Sequence, residues 1–167
     1  MKATKKSTKK SPVSFQAIEN SLNSILESLD DLPFINSGGC GVSALAIYRW
    51  CKAHDVWVSD RPFTFLWRDG NEWEASNNDE LLLNGELDRV EAPSHVVIQL
   101  FDGGDYDSTG QRCDCYPYVV RQEYKLNEQE LLNVINRPEE WNSVFQRALL
   151  IERIEFSLGI DLSDIVR

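Results

Sequence analysis

The stretch that most limits what this chain can fold into begins at Cys40. From Val42 to His54 it runs without Gly or Pro, and Val42, Ala46, Ile47 and Trp50 give it apolar residues at helical spacing. A helix this apolar has to be covered by other layers, because too little of its surface is suited to water. Ahead of it, Phe15, Ile18, Leu22, Ile25 and Leu29 form the stripe of an amphipathic helix, with Ser14 as its cap and Asp30-Asp31-Leu32-Pro33 as its stop. Behind it the pattern changes period. The segment from Val56 to Trp73 is rich in aromatic residues and β-formers and predicts one or two strands, with a turn at Asp69-Gly70-Asn71.

The second half alternates in the same way. Asn78-Asp79 cap a short predicted helix through Leu83 that stops near Gly85. Ser94 to Phe101 is the clearest strand. Asp102-Gly103-Gly104-Asp105 is a hairpin signal, since glycine supplies the positive φ of tight strand turns. Tyr106 to Thr109 is the expected return strand, and Tyr116 to Val120 another. From Asn127 the chain turns helical twice. Asn127 and Glu130 form a capping-box pattern, and Pro138 opens a last helix carrying Trp141, Phe145, Ala148, Ile151 and Ile154. The expected fold is α+β: N-terminal helices packed on a small antiparallel sheet, followed by C-terminal helices, in a single domain over residues 13–167.

Composition supports one domain and narrows its partners. At 167 residues and 42% hydrophobic content the chain can bury a core without staples. No run approaches the roughly 20 apolar residues of a membrane span, and the first residues lack the apolar core of a secretory signal. A cytoplasmic location is therefore expected. Lys2, Lys5, Lys6, Lys9 and Lys10 place five of the 17 basic residues in the first ten positions. Residues 1–12 thus read as a disordered basic tail, and the other 12 bases face 27 acids, so the body carries about −15. That balance argues against nucleic acid as a partner and favours a polypeptide substrate or a protein partner.

The chain has four cysteines: Cys40, Cys51, Cys113 and Cys115. Without a secretory signal, disulfides are not expected. Cys51-x-x-His54 with Cys113-x-Cys115 offers four metal ligands, but Cys-x-Cys is tighter than the usual zinc spacing, so no metal or other cofactor is expected. Cys40 is different in kind. It follows Gly38-Gly39, precedes Gly41 and opens a helix, where free N–H groups and the helix dipole stabilise a thiolate and can hold an oxyanion. Flanking glycines would let a substrate carbonyl approach the backbone.

A cysteine nucleophile needs a base, and the chain has only two histidines. His54 lies 14 residues along the same predicted helix, about 21 Å from Cys40 at ~1.5 Å per residue. That leaves His95, at the mouth of the clearest strand. A third group should orient its ring, and Asp107 and Asp114 are the candidates. Strict pairing of Phe101 with Tyr106 would set Asp107 opposite Leu100 and His95 opposite Arg112; a bulge or a longer loop at Gly104 or Gly110 is needed to bring Asp107 to His95.

Gly38-Gly39-Cys40-Gly41 at a helix start, His95 at a strand start, and Tyr106-Asp107-Ser108-Thr109-Gly110 beyond a hairpin together resemble the papain-like cysteine peptidase superfamily. More narrowly, they resemble its compact Cys-His-Asp, transglutaminase-like branch. The resemblance implies a papain-like domain with Cys40 as nucleophile, His95 as general base and acid, and Asp107 as the orienting group. It also implies that Asn36 and Gly39 line the oxyanion or substrate site. The expected activity is hydrolysis of a peptide or isopeptide amide through a thioacyl-enzyme. Transfer of the same acyl group to an amine, as in acyltransferases and transglutaminases, is one alternative. The other is a non-enzymatic protein-binding module that presents aromatics between Trp57 and Trp73.

Overall fold

A computed structural model describes residues 15–30, 32, 39–68, 86, 95–112, 119–137 and 144–167. Helix α1 covers Phe15–Asp30, and its stripe of Leu22, Ile25, Leu26 and Leu29 is buried. Helix α2 covers Cys40–Ala53 and is buried continuously from Gly41 to Tyr48, and again at Trp50 and Cys51. It ends where the sequence placed it: His54 closes its last turn, and Asp55 reverses the chain at φ 58°.

Five strands follow among the described residues: β1 at Phe63–Arg68, β2 at His95–Gln99, β3 at Asp105–Asp107, β4 at Gly110–Arg112 and β5 at Val119–Leu126. They form one antiparallel sheet in the order β4-β3-β2-β1-β5. Phe63 pairs with Ile98 and Phe65 with Val96, so these four side chains share one face and enter the core. Helix α2 lies against β2, and its Tyr48 meets the Phe63 ring edge-on at 5.3 Å between centroids. Thr64 and Val97, paired on the opposite face, are buried as well.

Two strands depart from expectation for physical reasons. Strand β2 stops at Gln99, because the chain closes a loop on itself: Leu100 N–H donates to the Gly104 carbonyl (3.1 Å) and Gly103 N–H to the Leu100 carbonyl (3.0 Å). Asp102 Oδ1 accepts from Gly104 N–H at 2.8 Å, and Gly103 takes the left-handed φ of 80° that a side chain would resist. The register is consequently Ile98 with Tyr106 and Gln99 with Asp105, not Phe101 with Tyr106. Strand β5 runs to Leu126, well past the expected end at Val120. Arg121, Glu123 and Lys125 hid it in the sequence, and charged residues of this kind are what an edge strand carries.

Helix α3, Glu128–Ile135, has the expected capping box: Asn127 Oδ1 accepts from Glu130 N–H (2.9 Å), and Glu130 Oε2 accepts from Asn127 N–H (2.8 Å). Helix α4 covers Val144–Leu158 and buries Leu150, Ile151 and Ile154. The last residues return to the core through Leu162 and Ile165. Arg49 of α2 holds them, with a bidentate pair to Asp164 (2.7 and 2.6 Å) and a bond to the Asp161 carbonyl (2.7 Å). Among the described residues, no helix is long and apolar enough to cross a membrane. The basic tail, the turn at 69–71, the helix from Asn78 and the Pro138 helix start lie outside the described residues.

Candidate active site

Cys40 is the first residue of α2 and is half-buried. Gly39, its cap, is buried and carries no side chain to occupy the helix end. The first backbone bond of the helix runs from Ser43 N–H to the Gly39 carbonyl at 2.9 Å. The N–H groups of Cys40, Gly41 and Val42 therefore precede the helical ladder and have no acceptor within it. Gly41 does not open the backbone to a substrate, as its sequence context suggested. A Cβ there would lie 2.5 Å from Ile135 Cγ2, so this glycine exists to let α3 pack against the first turn of α2.

The hairpin register supplies the third group. With Ile98 opposite Tyr106, the next level sets Asp107 beside Val97, two residues from His95 and on the same face of the sheet. Diagonal neighbours of this kind are roughly 7–8 Å apart at the backbone, within reach of a long side chain such as histidine. The reach is made: His95 Nε2 and Asp107 Oδ2 are 2.8 Å apart. Asp107 is fully buried, and its other oxygen, Oδ1, accepts from Thr109 N–H (2.8 Å) and Thr109 Oγ1–H (2.7 Å). The turn that returns Thr109 to Asp107 closes on Gly110 at φ 110°.

Burial alone would push the His95 imidazole down. Hydrogen bonds to Asp107 and to the Cys40 sulfur, together with the negative charge each can carry, more than offset that and raise it to about 9. The ring therefore holds its proton at neutral pH. Nε2 is the ring nitrogen engaged with Asp107. The set is a thiol at a helix end, a histidine ring that interacts with it and a buried carboxylate bonded to the ring. It can supply a sulfur nucleophile, a proton for a leaving group and backbone N–H donors for an oxyanion.

The other sequence candidates fall elsewhere. His54, at the far end of α2, stacks on Trp50 at 4.1 Å and shares a 2.8 Å bond with the Trp50 carbonyl. Cys51 is buried, and burial pushes its thiol up to about 12. Asn36, Cys113, Asp114 and Cys115 lie outside the described residues, and among those described no group of three His, Cys, Asp or Glu side chains could hold a metal. Of the aromatics between Trp57 and Phe65, Phe63 and Phe65 are core and Trp57 is 69% exposed. Thr109 is the site residue that sequence reasoning passed over. Its signal was the Asp-x-Thr spacing, in which an aspartate bonds the backbone two residues on. Compared with protein-family models, curated proteins and solved structures, the chain matches none.

Proposed function

We propose that this chain is a cysteine hydrolase of papain-like type that opens a peptide or isopeptide amide through a thioacyl-enzyme. The observation that carries the reading is His95, held through Nε2 by a fully buried Asp107 and interacting electrostatically with the Cys40 thiol. In the first step the Cys40 sulfur, its proton resting on His95, attacks the substrate carbonyl carbon. A C–S bond forms and the carbonyl π pair moves onto oxygen, which the N–H groups at the start of α2 stabilise. As the oxyanion collapses, the C–N bond breaks and the His95 ring proton passes to the leaving amine. Now neutral, the ring takes a proton from water as that water attacks the thioester. The C–S bond breaks, the carboxylic acid leaves and the sulfur–imidazolium pair is restored. Asp107 keeps the ring oriented and favours its protonated form throughout.

The test is labelling of the full chain with iodoacetamide and with a peptide vinyl sulfone, followed by mass mapping of the adduct. Cys40 is expected to react at least tenfold faster than any other cysteine, and His95→Ala to slow it. Reaction at Cys40 no faster than at the other thiols, or unaffected by His95→Ala, overturns the proposal.

A further inference from the structure

The hydrolase reading gives roles to Cys40, His95 and Asp107 but leaves the far side of the Asp107 carboxylate unassigned. We infer that Thr109 is a positioning residue for this site, and that its hydroxyl locks the Asp107 carboxylate so that Oδ2 faces His95; as a statement about catalysis, this rests on the hydrolase reading. A carboxylate on a short side chain has two oxygens that exchange by rotation about a soft torsion. In Asp107 that rotation is opposed from one side. Oδ1 is gripped twice by the same residue, by the Thr109 N–H at 2.8 Å and its hydroxyl at 2.7 Å, while Oδ2 reaches His95 Nε2 at 2.8 Å.

The grip has a local origin. Asp107 and Gly110 pair across the β3–β4 hairpin, so Ser108 and Thr109 form its two-residue loop. Gly110, at φ 110°, accepts the backbone turn that folds the Thr109 N–H back over Asp107. Any residue at 109 except proline keeps that N–H. Only Ser or Thr adds the second donor. Asp107 is fully buried although Thr109 itself is exposed, so the side chain that sets the carboxylate is open to substitution without disturbing the core.

A positioning role and a merely electrostatic one move His95 in opposite directions. If the hydroxyl only tempers the carboxylate's charge, its removal makes Asp107 a stronger acceptor and raises the His95 titration. If it holds Oδ2 toward the ring, removal lets the carboxylate turn away and lowers that titration. The experiment is ring-resonance NMR of the full chain, wild type against Thr109→Val and Thr109→Ser, with His54→Gln used to assign the two histidines. For Thr109→Val the His95 midpoint is expected to fall from about 9 by at least half a unit. Iodoacetamide modification of Cys40 at pH 7 is expected to slow about tenfold, the scale of one hydrogen bond to a charged group. Thr109→Ser should keep both values close to wild type. An unchanged or raised midpoint in Thr109→Val, with circular dichroism showing a folded chain, overturns the inference. The titration does not need Cys40 to be a nucleophile. If wild-type Cys40 proves unreactive, the hydrolase reading fails and the midpoint still decides Thr109.

Discussion

Replacing Asp107 with Asn should change how the stability of this protein depends on pH, and the direction follows from His95. The imidazole is raised from its ordinary value of 6.5 to about 9 in the folded chain, so folding favours the protonated ring. The side chain is only 12% exposed, so solvent does little to screen the interaction. At ~1.4 kcal/mol per pKa unit, that displacement corresponds to about 3 kcal/mol. A raised histidine contributes its stability in full below its unfolded value, near pH 6.5, and loses it as pH rises through the folded value near 9. Asp107 and Cys40 both contribute to the rise, so Asp107→Asn should reduce the stability lost between these two pH values. Loss of a buried carboxylate also lowers stability at every pH, by an amount that shifts the level of the curve and not its slope. The assay is urea denaturation of wild type and Asp107→Asn at closely spaced pH from 6 to 9.5, taking the difference between the two curves. Groups common to both proteins cancel in that difference. A wild type that gains stability over this window, or two curves of equal slope, would refute the assignment of His95 as a protonated ring held by Asp107.

Other expectations can be checked as directly. Cys51, with its thiol pushed up to about 12 by burial, should resist iodoacetamide at pH 8 in the native chain and react only after denaturation, which makes it an internal standard for Cys40. Gly41→Ala should cost about 1–3 kcal/mol, because its Cβ would stand 2.5 Å from Ile135 Cγ2; in the Ile135→Ala background the same substitution should cost less, as a double-mutant cycle in urea would read. Asn127→Ala removes one half of the α3 capping box and should cost about 1 kcal/mol with no effect on Cys40 labelling. Arg49→Met breaks the bidentate pair with Asp164 and the bond to the Asp161 carbonyl, so carboxypeptidase should trim the last residues faster while thermal stability falls only slightly.

The parts of this molecule that could be read from sequence are those where residue type and spacing settle the matter locally. Helix α2 declares itself by its apolar content, its start by the glycines, and the capping box of α3 by two residues three apart. With only two histidines in the chain, the length of α2 was enough to set His54 aside and leave His95. What stayed hidden was fixed by contacts between distant segments or by a few bonds in a loop. Ile135 explains Gly41, and nothing near Gly41 in sequence points to it. The register of β2 on β3 is the decisive case. The strict hairpin set Asp107 opposite Leu100, whereas the Asp102–Gly104 bond and the left-handed Gly103 close a longer loop and set it level with Val97. That displacement is three residues, an odd number, and an odd shift moves a side chain to the other face of a sheet. In the strict hairpin, Asp107 would have shared a face with Val96 and Ile98, among the apolar core, as an unpaired buried carboxylate. In the observed register it shares a face with His95. The loop at 100–104 therefore decides whether Asp107 meets His95 or lies as a misplaced acid in the core, and it does so through one aspartate side chain and one glycine.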